Sequence, residues 1–170
     1  DDAEHRRLAG MHRAVLLLER PSVALNGFAV RTLLDEDYKD ARLWVRPSVV
    51  VEEGADVKDW KIQGRLYDAS GALVTDGMSI TLNEIILEKY PQRDIVHWPL
   101  MEAEITDPAK WTAETPDLYT LVLTLLDAED NCVEARSCRV GFRDVRIKDQ
   151  QLLINGVPVK LYGVNRHDHS

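Results

Sequence analysis

At 170 residues the chain has room for one good-sized domain plus scraps of neighbours, because single domains commonly run about 100–150 residues. Hydrophobic residues make up 45% of it and charged residues 29%, a globular balance, and no apolar stretch approaches the roughly 20 residues that a membrane-spanning helix needs. A formal net charge of −8 repels phosphate backbones and anionic lipid, which excludes nucleic acid and membrane surfaces as expected partners and leaves a neutral ligand such as a sugar compatible.

The N-terminal "DDAEHRRLAG" shows no basic start followed by an apolar run, so no secretory signal is read there. Val15–Leu18 is a short apolar run halted by Pro21. Phe28–Leu34 alternates weakly, and "LDEDYKD" follows as a polar turn. Leu43–Val51 is rich in β-branched residues and reads as a strand, with Pro47 placed on an edge or at a bulge because it offers no ladder N–H. In Trp60–Tyr67, Trp60, Ile62 and Leu66 share one face while Lys61, Gln63 and Arg65 take the other, the pattern of a half-buried strand. "DASG" then turns the chain into Ala72–Thr75, Met78–Leu87 resumes the β pattern, and Ile95–Ile105 is a less regular strand.

The clearest strand is Leu118–Leu126, where Tyr119, Leu121, Leu123 and Leu125 fall on one face with period two. "DAEDN" returns it into Cys132–Val140. Some seven strands about 10–15 residues apart, separated by turn signals, describe an all-β fold: an antiparallel β-sandwich of immunoglobulin type. Tyr119, at the head of a late strand, stands where a tyrosine corner is expected. Cys132 and Cys138 lie on one predicted strand, which puts them roughly 20 Å apart and out of disulfide reach. They read as free thiols, which leans toward a reducing, cytoplasmic compartment.

The texture changes after "GFRDV". Val145–Ile147, Leu152–Ile154, an Asn155-Gly156 turn and Val157–Val164 predict a hairpin-rich passage, and Asn-Gly is the strongest short-range signal for a type I′ turn. The last strand leads directly into "NRHDHS".

Few motifs carry chemistry by themselves. His167 and His169 are alternate strand-like residues flanking Asp168, a partial metal set, but a structural zinc takes about four ligands and no nearby Cys or His pair completes it, so no metal site is expected. The 29 Asp and Glu residues sit in turn-like or alternating contexts that a solvated face explains, and no catalytic pair stands out. No serine occupies a Gly-x-Ser-x-Gly elbow, and no glycine-rich phosphate cradle is present. Trp44, Trp60, Trp98 and Trp111 could stack on sugars, although core or edge packing is the plainer reading in a sandwich.

Three stretches, taken together, resemble the β-galactosidases of glycoside hydrolase family 2. "RLAGMHRAVLLLERP" (Arg7–Pro21) resembles the segment that ends that family's sugar-binding jelly roll. "PAKWTAETPDLYTLVLTLLDA" (Pro108–Ala128) resembles a Trp-Ser-Ala-Glu-x-Pro-x-Leu-Tyr passage of its immunoglobulin-like domain, and Val140–His169 resembles the Gly-Phe-Arg junction and the opening of its catalytic barrel. The resemblance implies three parts: residues 1–20 as the tail of the jelly roll, 21–140 as the sandwich, and 141–170 as the start of a (β/α)8 barrel. Such a barrel takes about 200–250 residues and builds its site at the C-terminal ends of its strands.

Carried over from the family, His167 contacts the sugar in the galactose subsite, with Asn165, Arg166, Asp168 and His169 in the same motif and Asn165, Asp168 and His169 as weaker substrate-binding candidates. The implied activity is retaining hydrolysis of terminal β-galactosides by two glutamates that the family keeps on later barrel strands, so no catalytic residue and no cofactor is expected within these 170 residues. The substrate would be met through the missing barrel, the parent would be a homo-oligomer, and it would use Mg2+ and a monovalent cation. Upstream, the family shows a Gln-Asp pair and a tryptophan near a cation. The aligned "DDAEHRR" offers only Asp2 and Glu4 and no tryptophan, and His12 replaces an aromatic residue common in relatives. A β-glucuronidase or β-mannosidase of the same family, a non-enzymatic immunoglobulin-like binding module and a metal-binding module are the competing readings. Arg166 favours the galactosidase, since glucuronidase relatives tend to carry Lys there.

Overall fold

Period-two alternation reappears directly in the computed structural model, which describes residues 15, 17, 19–87 and 99–164. Seven strands form the body: β1 (Val23–Leu34), β2 (Ala41–Val51), β3 (Lys61–Tyr67), β4 (Leu73–Thr81), β5 (Met101–Ile105), β6 (Tyr119–Leu126) and β7 (Cys132–Val140). They pair antiparallel into a three-stranded sheet, β1-β2-β5, and a four-stranded sheet, β4-β3-β6-β7. The result is an all-β sandwich of immunoglobulin type.

The alternation has the expected energetic meaning. On β6, Tyr119, Leu121, Leu123 and Leu125 are buried while Thr120, Val122, Thr124 and Leu126 are only partly so. They join Leu43 and Val45 of β2, Ile62 and Leu66 of β3 and Met78 of β4 in one core cluster. Each fully buried Leu or Ile contributes about 1.5–3 kcal/mol by leaving water. Tyr119 is the expected tyrosine corner: its hydroxyl oxygen accepts the Ala109 N–H at 2.8 Å. Pro47 lies past Val45, the last β2 residue paired with β5, so its missing N–H falls where the strand has a neighbour on one side only. The two sheets are tied along one flank, where the Leu25 N–H donates to Glu134 Oε2 at 2.8 Å and the Thr32 hydroxyl donates to the Gly141 carbonyl at 3.1 Å.

Three sandwich hairpins use one device. Asp35 accepts the N–H groups of Lys39 (2.7 Å) and Asp40 (3.0 Å). Asp68 accepts the N–H groups of Ser70 (2.8 Å) and Ala72 (2.9 Å), and Asp127 those of Glu129 (3.0 Å) and Asn131 (2.8 Å). Each turn then passes through a left-handed residue, Tyr38 (φ 55°), Gly71 (φ 87°) or Asp130 (φ 64°). The carboxylate replaces the backbone acceptors that such a turn lacks.

One expected strand is a helix. Ala72–Thr75 and the start of Met78–Leu87 merge into β4, but Leu82–Leu87 forms α1, with Leu82 and Ile85 buried one turn apart. Thr81 and Glu84 close a capping box: Glu84 Oε2 accepts the Thr81 N–H (2.9 Å) and hydroxyl (2.6 Å), while Thr81 Oγ1 accepts the Glu84 N–H (3.3 Å). Those bonds hold the Glu84 carboxyl below its usual range. Of the Ile95–Ile105 run, Met101–Ile105 is β5, and residues 95–98 lie outside the described residues.

Candidate functional site

The candidate substrate-binding residues Asn165, His167, Asp168 and His169 lie outside the described residues, as do Arg166, His12 and Trp98. What the structure describes is the platform that leads to them. It consists of β8 (Val145–Lys148), β9 (Gln151–Ile154) and β10 (Val157–Pro158), a three-stranded antiparallel sheet. Asn155 (φ 49°) and Gly156 (φ 77°) make the two-residue turn between Ile154 and Val157, as Asn-Gly predicts. The preceding turn is built alike from Asp149 (φ 50°) and Gln150 (φ 63°), neither of them glycine. The expected strand Val157–Val164 is shorter. Only Val157–Pro158 pairs as β10, followed by a Val159 N–H to Leu152 carbonyl bond of 2.9 Å. With four residues in β9, the ladder has no partner left for Leu161–Val164.

The platform is fixed to the sandwich through Asn155. Its Oδ1 accepts the Asp144 N–H at 2.9 Å, its own N–H donates to the Asp144 carbonyl at 2.9 Å, and its Nδ2 donates to the Trp111 carbonyl at 3.1 Å. The Trp111 N–H in turn donates to the carbonyl of Phe142 at 2.9 Å. Phe142 is fully buried and stands edge-on to Tyr119, ring centroids 5.0 Å apart. The Arg143 guanidinium lies 4.6 Å from the Trp111 ring centroid, a cation–π contact. Gly156 packs so close to Tyr38 that a Cβ there would stand 2.7 Å from the ring's Cε2. Sequence reasoning read Asn155 as a turn residue and missed its side chain's role. An amide with both donor and acceptor in a left-handed position was the available signal.

The rest of the described surface holds no acid–base pair. Asp35, Asp68 and Asp127 have carboxyls held below the usual range, led respectively by the Asp40 N–H, the Ser70 hydroxyl and the Asn131 side chain. They are turn caps, the opposite of a raised-pKa proton donor. Burial pushes the Cys138 thiol up, and both cysteines are free. A depression of about 420 Å³ beside Phe28, Pro47 and Ile85 is walled mainly by apolar atoms. Among the described residues, no group of three or more His, Cys, Asp or Glu side chains is placed to hold a metal.

Residues 23–143 match the family described as glycosyl hydrolases family 2. Over 99% of its length the chain is 37% identical to a β-galactosidase of Priestia megaterium and 36% identical to one of Photobacterium profundum. It spans 16% of the length of each. Among solved structures, it superposes on a β-glycosidase from Bacteroides vulgatus with a TM-score of 0.67 at 18% identity, covering 84% of this chain and 16% of that one. A β-glucuronidase from Parabacteroides merdae gives 0.64 at 23% identity, covering 86% and 17%. At those identities the two structures speak to the fold alone.

Proposed function

Because the chain belongs to glycosyl hydrolases family 2, we propose that it is the β-sandwich segment of a retaining glycoside hydrolase that cleaves terminal β-D-galactosides. The observation that carries this reading is the 37% identity to a β-galactosidase over 99% of the chain. In this reading residues 1–20 close a jelly roll, 21–140 form the sandwich, and 141–170 open the catalytic barrel.

Retention needs two carboxylates about 5–5.5 Å apart, one as nucleophile and one as acid and then base. The reading places both outside residues 1–170. His167 then donates or accepts a hydrogen bond to a sugar hydroxyl at the barrel's rim, a contact that strengthens as positive charge develops on the sugar. The sandwich is a spacer whose rigidity fixes where the barrel begins. The parent is a homo-oligomer. The resemblance implies Mg2+ and a monovalent cation; among the described residues no group of three or more His, Cys, Asp or Glu side chains is placed to hold a metal, and no step here runs through them.

The test uses the longer polypeptide that carries this chain, assayed on p-nitrophenyl β-D-galactoside, β-D-glucuronide and β-D-mannoside, with product stereochemistry followed by NMR. Galactoside turnover with retention is expected, together with no turnover by the 170-residue chain alone. A preference for the glucuronide or mannoside refutes the substrate assignment. Loss of one hydrogen bond in His167→Ala lowers kcat/KM about tenfold or more.

A further inference from the structure

The chain contains two Asn-Gly pairs, Asn26-Gly27 and Asn155-Gly156, and the fold holds their amides in opposite ways. The pairing matters chemically, because an asparagine carboxamide beside the unhindered nitrogen of a glycine can close a five-membered imide ring on the backbone. At Asn155 that ring cannot close without breaking bonds: Oδ1 accepts the Asp144 N–H at 2.9 Å and Nδ2 donates to the Trp111 carbonyl at 3.1 Å. The Gly156 backbone is walled as well, since a Cβ there would stand 2.7 Å from Tyr38 Cε2. Asn26 is free of both restraints. It is exposed, and among the described residues its amide meets only the Ser48 hydroxyl, at 3.5 Å, beyond the usual length of a hydrogen bond. It is also the extra residue of a β-bulge: β1 takes two steps from Leu25 to Gly27 where β2 takes one from Val49 to Ser48, so Asn26 has no ladder partner. Gly27 faces open space, with nothing but its chain neighbours within 4 Å of where a Cβ would stand.

We propose that Asn26 is a modification site, where the Gly27 nitrogen converts the side chain through a succinimide into aspartate and isoaspartate, and that the fold protects Asn155 from the same reaction. In the first step solvent base takes the Gly27 N–H proton, the nitrogen bonds to Asn26 Cγ, and the Cγ–Nδ2 bond breaks to release ammonia. Water then opens the ring. Attack at the side-chain carbonyl gives aspartate, and attack at the main-chain carbonyl gives isoaspartate, whose main chain is longer by one methylene group. Either product puts a carboxylate beside the depression that Gly27, Arg46 and Ser48 line, and makes a chain of net charge −8 more acidic still. The bulge absorbs the lengthened main chain, because β1 already carries an extra residue there, so the pairing of Ala24 with Val50 and of Ala29 with Arg46 keeps its register. Asn155 has no such slack. Replacing its Nδ2 by oxygen would turn the donor to the Trp111 carbonyl into an acceptor and cut the tie between platform and sandwich. Two side-chain hydrogen bonds that must break before the ring closes slow Asn155 about tenfold or more relative to Asn26. The reaction is independent of whichever sugar the parent enzyme cleaves.

The experiment incubates the 170-residue chain in mildly alkaline buffer, folded and in concentrated urea, and follows conversion at each asparagine by peptide mapping with mass spectrometry. In the folded chain Asn26 should convert about tenfold or more faster than Asn155, and also faster than Asn83, which is exposed but followed by Glu84. In urea the two Asn-Gly pairs should convert at similar rates. Gly27→Ala adds a methyl group that meets open space in the fold yet hinders the attacking nitrogen. It should slow Asn26 severalfold and leave both the melting temperature and the rate at Asn155 unchanged. Product separated by anion exchange, where its added charge delays it, should melt where the unconverted chain melts. Equal rates at Asn26 and Asn155 in the folded chain overturn the inference, as does an Asn26 no faster than Asn83 or a Gly27→Ala chain that converts at the original rate. A gap between the two pairs that persists in urea also overturns it, because sequence neighbours and not the fold would then set the difference. A product that melts several degrees lower refutes the slack assigned to the bulge.

Discussion

Phe142 offers a direct measure of where the sandwich core ends. It lies beyond β7, yet it is fully buried and packs edge-to-face on Tyr119, itself a β6 core residue. Replacing it with alanine removes the ring and leaves a cavity whose lining is set by strands that cannot collapse freely. Such Phe→Ala changes cost about 3–5 kcal/mol, of which about 0.5–1.5 kcal/mol belongs to the aromatic pair. Domain stabilities are only about 5–15 kcal/mol, so the variant should lose a large share of its stability. At about 2–4 °C per kcal/mol for a chain of this size, the melting temperature should fall by roughly 6–20 °C. Urea unfolding of the 170-residue chain, followed by tryptophan fluorescence, measures the change, with an unaltered m-value as the check that the unfolding transition is the same. Phe142→Leu, which keeps most of the apolar volume, should cost clearly less. A loss below about 1 kcal/mol for Phe142→Ala would show that the core stops at Val140 and that the 5.0 Å ring contact carries no weight.

Asn155→Ala removes two side-chain hydrogen bonds and puts an unfavourable residue at φ 49°, so it should speed amide exchange across 144–159, whereas Asn155→Gly should restore the turn but not the tie to Trp111. Exchange in Asn155→Gly as slow as in the unsubstituted chain would mean that backbone strain, and not the amide, matters. Gly64→Ala would place a Cβ 3.2 Å from Met78 Cβ and 3.4 Å from Leu123 Cδ2 in the buried centre of the four-stranded sheet, and a denaturant titration should show a loss of about 1–3 kcal/mol. Hydrogen bonds hold the folded-state carboxyls of Asp35, Asp68 and Asp127 below the usual aspartate range, so their contribution is complete above the unfolded-state value of about 4 and disappears as pH falls through the depressed folded values. Melting temperature should therefore hold from neutral pH to about pH 5 and drop below about pH 4. The triple Asp→Asn variant should be less stable at neutral pH and show a shallower acid drop, and an unchanged acid slope would refute the role of the three caps.

Much of the fold was legible locally. Strand alternation is a property of adjacent residues: the burial of Tyr119, Leu121, Leu123 and Leu125 follows from a side-chain period of two once one face meets a core. The turns at "LDEDYKD", "DASG", "DAEDN" and Asn155-Gly156 were legible for the same reason, since Asp, Asn and Gly supply the acceptor or the left-handed backbone within a few residues. Leu82–Leu87 was misread because apolar spacing in a six-residue run fits strand and helix alike, and the Thr81–Glu84 box that decides it is a two-residue signal within a β-rich context. The candidate site was legible only as a motif, and its residues lie outside the described chain.

Other features had no local signature at all. Leu25 and Glu134, or Thr32 and Gly141, are 109 residues apart, and Asn155 meets Trp111 across 44. Hydrogen bonds of that kind depend on where whole strands come to rest, which is decided by how the two sheets bury their apolar faces together. The same holds for the apolar side of β8–β10. Its alternation is written in the residues, but whether that side is covered depends on what packs against it, and only the assembled sandwich shows that it does not cover this face itself.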